Sequence, residues 1–568
     1  MGEINTHPET ILFVGAGATQ ALAMPPTSEQ AKFLWNVCNQ EPLSVKTIED
    51  SATCFRGDGE NVALMAFVLD GGAGGDATID LNDWRWARAF PDVVKPDIEK
   101  LVHNLRRHYD WGALKLIAKA KKGNSREKKP RDDYLQEVFT LMDVCIRDGR
   151  GFEVDVNGEM VFLPLERIKA AYETLILLIN TMFACAWQKL VDDGQAKLKT
   201  YRDFFRSLAL LMQKEARDFE RHGYAFNERE FYQFSYSLVT TNFEPLFLWF
   251  IWNAHDKVNN HAAQVRLGNP GRVLKLLMNF PNSVGMRKPA DPDLSPGIWF
   301  PCTEAVAQNV NNLKYTDNRI FRLGKYFPVH GMSVTRHCPK CGRLNLYMGD
   351  TWDENSKTLF PNGIIAPFKW GQEPRTDKEE AANKRGEYDA LECHFCGALT
   401  HSYDNFMFMQ TQLKQKPPSF IREATDEALS DITHAKHIVL LGYSMPLDDA
   451  IWGSLLSMMS RRKDGECLYC SVVSTYDPDG PDGWLYGKGL EDYLAAKGEL
   501  VEDKEKVRAI SNAITVFGKE NVRAYVQGIP NVFGEGTESD VVDLLYPYNQ
   551  PGWDIKAFTP NGVVRETK

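Results

Sequence analysis

The stretch Ser237–Phe247, with the sequence SLVTTNFEPLF, constrains the fold of this chain more than any other. An apolar run ends abruptly in polar residues and a stretch rich in aromatic residues follows, which predicts a buried strand, a loop and a helix. Ligands of open α/β sheets bind in the crevice at the carboxyl ends of strands, where Asn242 is predicted to lie. Its amide offers both a hydrogen-bond donor and an acceptor, so Asn242 is a candidate binding residue. An Asn in this place is also common as a turn residue or a helix cap, which is the alternative interpretation.

Length and composition narrow the class of protein. The chain has 568 residues, more than one compact core usually contains, so we expect one enlarged α/β domain with insertions, or roughly two or three domains. A hydrophobic content of 43% and a charged content of 25% are typical of a soluble globular protein. The net charge of -10 disfavours direct binding to nucleic acid, which usually requires a basic excess. We find no run of about 18 uncharged apolar residues and no secretory signal at residues 1–9, so no membrane association and a cytoplasmic location are expected.

A glycine-rich loop follows the first predicted strand. The strand is Thr10–Val14, and the sequence GAGAT occupies residues 15–19. Glycines allow a tight turn and close approach of the backbone, and amides at the start of a helix can hold phosphate. The third glycine of the dinucleotide-binding fingerprint is missing because Gln20 holds its place, so a plain strand-to-helix turn is the other interpretation.

Three more predicted strands end in residues that could contribute to a site. Residues 325–329 form a short strand that ends in His330 and Gly331. Residues 437–441 are almost continuously apolar, as in a parallel sheet covered on both faces, and Gly442 then turns the chain. Residues 469–474 form another strand, which ends at Ser474. A histidine at a strand end is also often a packed structural residue.

The region from 46 to 234 has a different pattern and is predicted to be a mainly helical insertion. Helices are expected at residues 84–90, 98–117, 134–146, 165–191 and 201–221, with a hairpin turn at Asn157-Gly158. Residues 270–301 are rich in Pro, Asn and Gly and are predicted to be mostly loop.

Two CxxC pairs give the most specific local chemistry in the sequence. They are Cys338, Cys341, Cys393 and Cys396. Four thiolates suit a tetrahedral structural zinc ion with no open coordination position. The 51 residues between the pairs exceed the usual zinc-ribbon spacing, so we expect an insertion there. Four unrelated buried cysteines are the alternative, and the odd total of eleven cysteines favours a reducing compartment over a disulfide framework.

The order of these motifs resembles the sirtuin (SIR2-like) NAD-binding fold, and most closely its bacterial branch found in anti-phage defence proteins. The motifs are GAGAT, TTNFE at 240–244, HG at 330–331, the CxxC pairs and LLGYSMPLDD at 440–449. The resemblance covers roughly residues 1–45 and 235–535. It implies a Rossmann-like parallel sheet built from residues 1–45, 235–330 and 411–540, a zinc module at 331–410 and a C-terminal tail at 541–568.

The resemblance also implies roles for single residues. Asn242 is expected beside the nicotinamide ribose, and His330 is expected to contact that ribose and act as general base. The binding set that the resemblance implies for NAD is Gly15, Ala16, Gly17 and Thr19 at the diphosphate, Thr241 beside Asn242, Gly442 and Ser444 toward the adenosine, and Ser474 near the adenine ribose. The four cysteines match the zinc module.

Two departures from the family pattern bear on activity. Residues 25–28, with the sequence PPTS, stand where deacylating sirtuins carry Asp-Phe-Arg, and Phe243-Glu244 replaces the usual Ile-Asp. The expected activity is therefore the one associated with the bacterial branch, hydrolysis of NAD to nicotinamide and ADP-ribose by a regulated anti-phage effector. A NAD-dependent protein deacylase and a non-catalytic sensor of NAD or ADP-ribose are the alternatives. Expected partners are NAD and, in addition, further copies of the chain, a regulatory protein of a defence operon, or both.

Overall fold

The computed structural model of the chain describes residues 8–38, 45–56, 62, 65, 100, 103–104, 106–122, 130–131, 133–156, 158–221, 234–259, 265–267, 271–279, 284–287, 319–347, 374, 376–408, 417–445, 450–460, 468–474, 476–498, 504–547 and 549–553.

The described strands are β1 Thr10–Val14, β2 Phe152–Val156, β3 Glu159–Leu163, β4 Phe234–Thr240, β5 Arg266–Leu267, β6 Arg272–Asn279, β7 Val284–Arg287, β8 Arg319–Pro328, β9 Gly331–His337, β10 Leu344–Tyr347, β11 Leu391–Glu392, β12 Leu399–Thr400, β13 Asn405–Met407, β14 His437–Leu441, β15 Tyr469–Val473, β16 Trp484–Leu485 and β17 Val522–Tyr525.

The described α-helices are α1 Gly17–Gln20, α2 Thr27–Val37, α3 Val45–Ser51, α4 Trp111–Lys122, α5 Tyr134–Asp148, α6 Leu165–Asp193, α7 Gln195–Arg221, α8 Leu246–Asn259, α9 Asp377–Lys384, α10 Ser419–His434, α11 Ala450–Ser460, α12 Gly487–Gly498, α13 Lys504–Phe517 and α14 Glu538–Leu545.

A nine-stranded sheet in the order β16-β17-β15-β14-β1-β4-β8-β6-β5 organises the fold. The seven strands from β17 to β6 pair in parallel, and the short edge strands β16 and β5 are antiparallel. All five residues of β1 and of β14 are buried, as the continuous apolar sequence of a two-sided parallel sheet requires. The predicted α/β class is confirmed as a mixed α/β fold with a large, mostly parallel sheet.

The strand order reverses beside β1. The chain passes from β1 to β4 and β8 on one side, and later returns to build β14, β15 and β17 on the other. In open α/β sheets a crevice forms at such a reversal, outside the carboxyl ends of the two central strands. The loops after β1 and β14 therefore border the position where a ligand is most readily accommodated.

The described part of residues 46–234 is mainly helical, and it shares its hydrophobic core with the sheet. Trp187 on α6 and Phe205 on α7 belong to the same buried cluster as Leu12 of β1. Tyr201 on α7 donates a hydrogen bond to the carbonyl oxygen of Ala18 at 2.7 Å. The predicted hairpin around residues 157–158 is present as β2 and β3, whereas the helix predicted at 84–90 lies outside the described residues.

The prediction of loop for residues 270–301 is wrong for two described segments. Residues 272–279 form β6, which pairs in parallel with β8, and residues 284–287 form β7 in a second, four-stranded sheet. The Pro, Asn and Gly residues that suggested a loop flank β6, and its own sequence RVLKLLMN is rich in apolar residues. Pairing with the long strand β8 outweighs these local turn preferences.

By length and composition, α6 could cross a membrane. However, 89% of its most apolar window is buried inside the protein. Such burial is typical of a helix in the core of a folded protein.

Replacing Gly442 with Ala should destabilise the fold. Gly442 has φ +62°, and a Cβ there would lie 2.1 Å from the backbone nitrogen of Ala18. We expect a loss of more than about 2 kcal/mol of unfolding free energy in urea, from backbone strain and the clash. Gly453→Ala is the matched control, because nothing lies within 4 Å of its Cβ position and Ala favours a helix by roughly 0.5–1 kcal/mol. Equal urea midpoints for the two variants would contradict the close approach.

Candidate functional site

Five loops lie side by side at the carboxyl edge of the sheet, after β15, β14, β1, β4 and β8. Backbone hydrogen bonds continue beyond the strands and fix the loops relative to one another. The amide of Thr241 donates to Val14 at 3.1 Å, and the amide of Val329 donates to Thr240 at the same distance. The predicted strand ends therefore form one continuous edge.

The glycine loop packs directly against the loop after β14. The amides of Gly15 and Gly17 donate to the carbonyl oxygens of Leu441 and Gly442, both at 3.0 Å. A Cβ on Gly15 would lie 2.7 Å from the Gly442 oxygen, so this contact requires glycine. Because these two amides already bond to protein, the exposed Ala16 and the half-buried Gly17 form the rim that a ligand would meet.

Asn242 lies at this edge and is only 6% exposed. Its side-chain nitrogen donates to Oε1 of Glu244 at 2.8 Å, and its backbone amide donates to Oγ1 of Thr240 at 3.0 Å. The side-chain oxygen of Asn242 is buried and has no hydrogen-bond partner among the described residues. A buried amide oxygen of this kind is a strong candidate acceptor for a ligand hydroxyl or a water molecule.

His330 lies beside Asn242 at the end of the neighbouring strand. Thr240 and Pro328 are paired in register, and Asn242 and His330 each follow two residues later. The imidazole is 1% exposed and stacks on the ring of Phe243, with centroids 6.2 Å apart. The structure thus brings the two predicted catalytic residues to adjacent strand ends.

The predicted residues on the adenosine side are spread more widely. Gly442 touches the glycine loop, whereas the half-buried Ser444 accepts a 3.5 Å hydrogen bond from Arg508 through its hydroxyl. Ser474 is buried after β15, two strands away from β1, and its amide donates to Tyr525 at 3.0 Å.

Glu244 is a further residue of the site, although in the sequence it stands out only as a departure from the family pattern. Its Oε1 accepts hydrogen bonds from Thr19 at 2.5 Å and from Asn242. Burial raises the pKa of this carboxyl to about 7, although both hydrogen bonds lower it. A carboxyl placed two residues beyond a candidate Asn, next to an apolar helix, is the sequence signal that could have identified it.

The four predicted metal ligands are brought together. The sulfur atoms of Cys338, Cys341, Cys393 and Cys396 all lie within 4.8 Å of one another. Cys338 and Cys396 are 3.6 Å apart, and Cys341 and Cys393 are 3.7 Å apart. Tetrahedral zinc with Zn–S bonds of about 2.3 Å places its sulfurs about 3.8 Å apart, so the cluster could hold a metal ion such as zinc.

The cysteine cluster is connected directly to His330. Strand β9 begins at Gly331 and ends at His337, immediately before Cys338. Arg336 on this strand is fully buried, and its guanidinium donates to the carbonyl oxygens of Asp389 and Thr400. These bonds join β9 to the segments on either side of the second cysteine pair.

No protein-family model matches the chain, and no curated protein matches it.

Removing one cysteine of the cluster should release the metal. Purified Cys338→Ser is expected to contain much less than one zinc per chain by mass spectrometry, because three thiolates hold zinc less tightly than four. Cys145→Ala, which changes a buried cysteine on α5, should retain the wild-type zinc content. Wild-type protein without zinc, or Cys338→Ser with full zinc, would contradict the assignment.

Glu244 should give the fold a measurable pH dependence. Because its pKa is raised in the folded state, folded protein binds more protons than unfolded protein between about pH 4.5 and 7, so its contribution to stability falls as pH rises. The unfolding free energy of wild type relative to Glu244→Gln should drop by roughly 3 kcal/mol or less between pH 4.5 and 8. Tyr201 and Tyr326 also face Glu244, but burial raises the pKa of both phenols, so they stay neutral in this range. A constant difference across this pH range would refute the raised pKa.

Proposed function

We propose that the chain hydrolyses NAD at the bond between nicotinamide and ribose, releasing nicotinamide and ADP-ribose. The observation that carries this proposal is the position of Asn242 and His330 on adjacent strand ends, next to the glycine loop at the reversal of strand order. The unpartnered oxygen of Asn242 adds a buried acceptor at this place. In this proposal an extended dinucleotide would lie along the strand ends from β8 to β15.

The positive charge that develops on the ribose during cleavage determines what the site must provide. Cleavage of the nicotinamide–ribose bond builds positive charge on the ribose C1 carbon, and the protein must orient the sugar and a water molecule around it. Asn242 would hold the ribose hydroxyls or the water through its amide. His330 would act as the general base that accepts a proton from the ribose hydroxyl or the attacking water.

A sirtuin-type fold with a zinc module is part of the same proposal. The mostly parallel sheet, the glycine loop beside β14 and the four-cysteine cluster support it. In this proposal zinc would hold Cys338, Cys341, Cys393 and Cys396 together, and it would stabilise the segment that begins at His330.

The burial of both catalytic candidates suits a regulated enzyme. Asn242 is only 6% exposed and His330 only 1% exposed, so access of substrate to them would depend on the residues that surround them. We therefore propose that the structure represents a resting form of a cytoplasmic anti-phage effector. Assembly with further copies or with a regulatory partner would open the site, and the helical region that contacts the glycine loop through Tyr201 is the candidate control element.

Replacing either catalytic candidate should abolish turnover. Nicotinamide release from NAD, measured by chromatography, is expected to fall about 100-fold or more in Asn242→Ala and His330→Ala, because orientation and proton transfer are both lost. Asn531→Ala and His434→Ala change exposed residues of the same types and should keep wild-type rates.

The same assay separates the alternatives. Release without peptide supports NAD hydrolysis, whereas release only with an acetylated peptide indicates a deacylase. NAD binding without product, both in the purified protein and in cells under phage challenge, indicates a sensor. Wild-type rates in folded Asn242→Ala and His330→Ala would exclude these residues as catalytic.

A further inference from the structure

A single carboxyl oxygen joins two loops of the site. Oε1 of Glu244 accepts one hydrogen bond from Oγ1 of Thr19 at 2.5 Å and another from the side-chain nitrogen of Asn242 at 2.8 Å. Thr19, Asn242 and Glu244 are 1%, 6% and 4% exposed, so water does not compete appreciably for these bonds. The glycine loop after β1 and the Asn242 loop after β4 are thereby tied by side chains as well as by backbone.

This contact determines how the Asn242 amide is oriented. Glu244 presents an acceptor, so the nitrogen of Asn242 faces it and the amide oxygen points away. The reversed amide would place its oxygen against Oε1 of Glu244, an atom that already accepts from Thr19, and two acceptor oxygens facing each other in a buried setting are unfavourable. The buried oxygen of Asn242 has no donor among the described residues, so it is the atom of this amide that can accept a hydrogen bond from a ligand or a water molecule.

We propose that Glu244 is a positioning residue. It holds the Asn242 amide so that the amide oxygen faces a substrate hydroxyl or the attacking water. Through its hydrogen bond with Thr19 it also fixes this orientation relative to the glycine loop. The proposal rests on the proposed NAD hydrolysis and assigns a role to two residues that do not themselves react. Thr19, which the family resemblance places at the diphosphate, directs its hydroxyl to Glu244.

Helix α7 contacts the segment that carries Thr19. Tyr201 from α7 donates to the carbonyl of Ala18, next to Thr19, and its ring packs on Phe533 with centroids 5.0 Å apart. A displacement of α7 would therefore also displace the segment that contains Thr19.

The first test compares steady-state kinetics of nicotinamide release in three threonine variants. Thr19→Val keeps the shape but removes the donor, and we expect kcat to fall about tenfold or more with KM within about twofold, since the Asn242 contact matters most in the transition state. Thr19→Ser restores a hydroxyl and should recover kcat to within about threefold of wild type. Thr10→Val is the matched control, because Thr10 is a buried residue at the opposite end of β1 whose hydroxyl bonds to Leu545 at 2.7 Å. A kcat of Thr19→Val equal to that of Thr10→Val would overturn the proposal.

The second test does not depend on activity. If Thr19 and Asn242 share one acceptor, the shift in urea midpoint of the double variant should differ from the sum of the shifts of Thr19→Val and Asn242→Ala. The pair Thr10→Val and Asn242→Ala, at opposite ends of the sheet, should be additive. Additive shifts for the Thr19 and Asn242 variants would show that Glu244 does not link the two residues. If wild-type protein binds NAD in cells under phage challenge but releases no nicotinamide, the proposed NAD hydrolysis is wrong. Non-additive urea shifts for Thr19→Val and Asn242→Ala would still support the hydrogen-bonded link through Glu244.

Discussion

The close approach of the loops after β1 and β14 is the constraint on which the rest of the site depends. Gly15 and Gly17 donate to the carbonyls of Leu441 and Gly442, and there is no room between them for side chains. This contact fixes where the central strand ends and where the neighbouring loops must lie. Since backbone bonds extend the same edge to Thr241 and Val329, the positions of Asn242 and His330 follow from it.

Buried charges beneath this edge hold β8, the strand that presents His330. Lys325 pairs with Asp431 on α10, and Arg322 pairs with Glu215 on α7, each at 2.7 Å. Desolvating such groups is costly unless they are paired and hydrogen-bonded, so each pair strongly favours one placement of the strand. The hydroxyl of Ser237 on β4 also bonds to Asp431, which connects the two strands that end in Asn242 and His330.

The parts of the fold and of the site that depend on the local sequence pattern could be predicted from the sequence. The apolar runs of β1 and β14 predict buried parallel strands, and the polar residues after β4 and β8 mark strand ends. The pairing of Asn242 with His330 as catalytic candidates comes from the family resemblance. Spacing within each CxxC pair likewise predicts a four-cysteine cluster.

Other parts depend on tertiary contacts that no local pattern encodes. Strand β6 is stabilised by pairing with β8, although its flanking residues favour turns. The shared acceptor role of Glu244 requires Thr19, which lies 225 residues away in the chain. Its pKa near 7 arises from burial, and burial is known only once α7, β4 and β8 are assembled around it.

The placement of β1 between strands from the middle and the last third of the chain also bears on synthesis. The first strand leaves the ribosome long before its partner β14, so the crevice beside Gly17 cannot form until residues beyond 441 have emerged. Chains that stop before β14 therefore lack the strand that borders the crevice on one side of β1. The order of the strands along the chain thus delays completion of this crevice until late in synthesis.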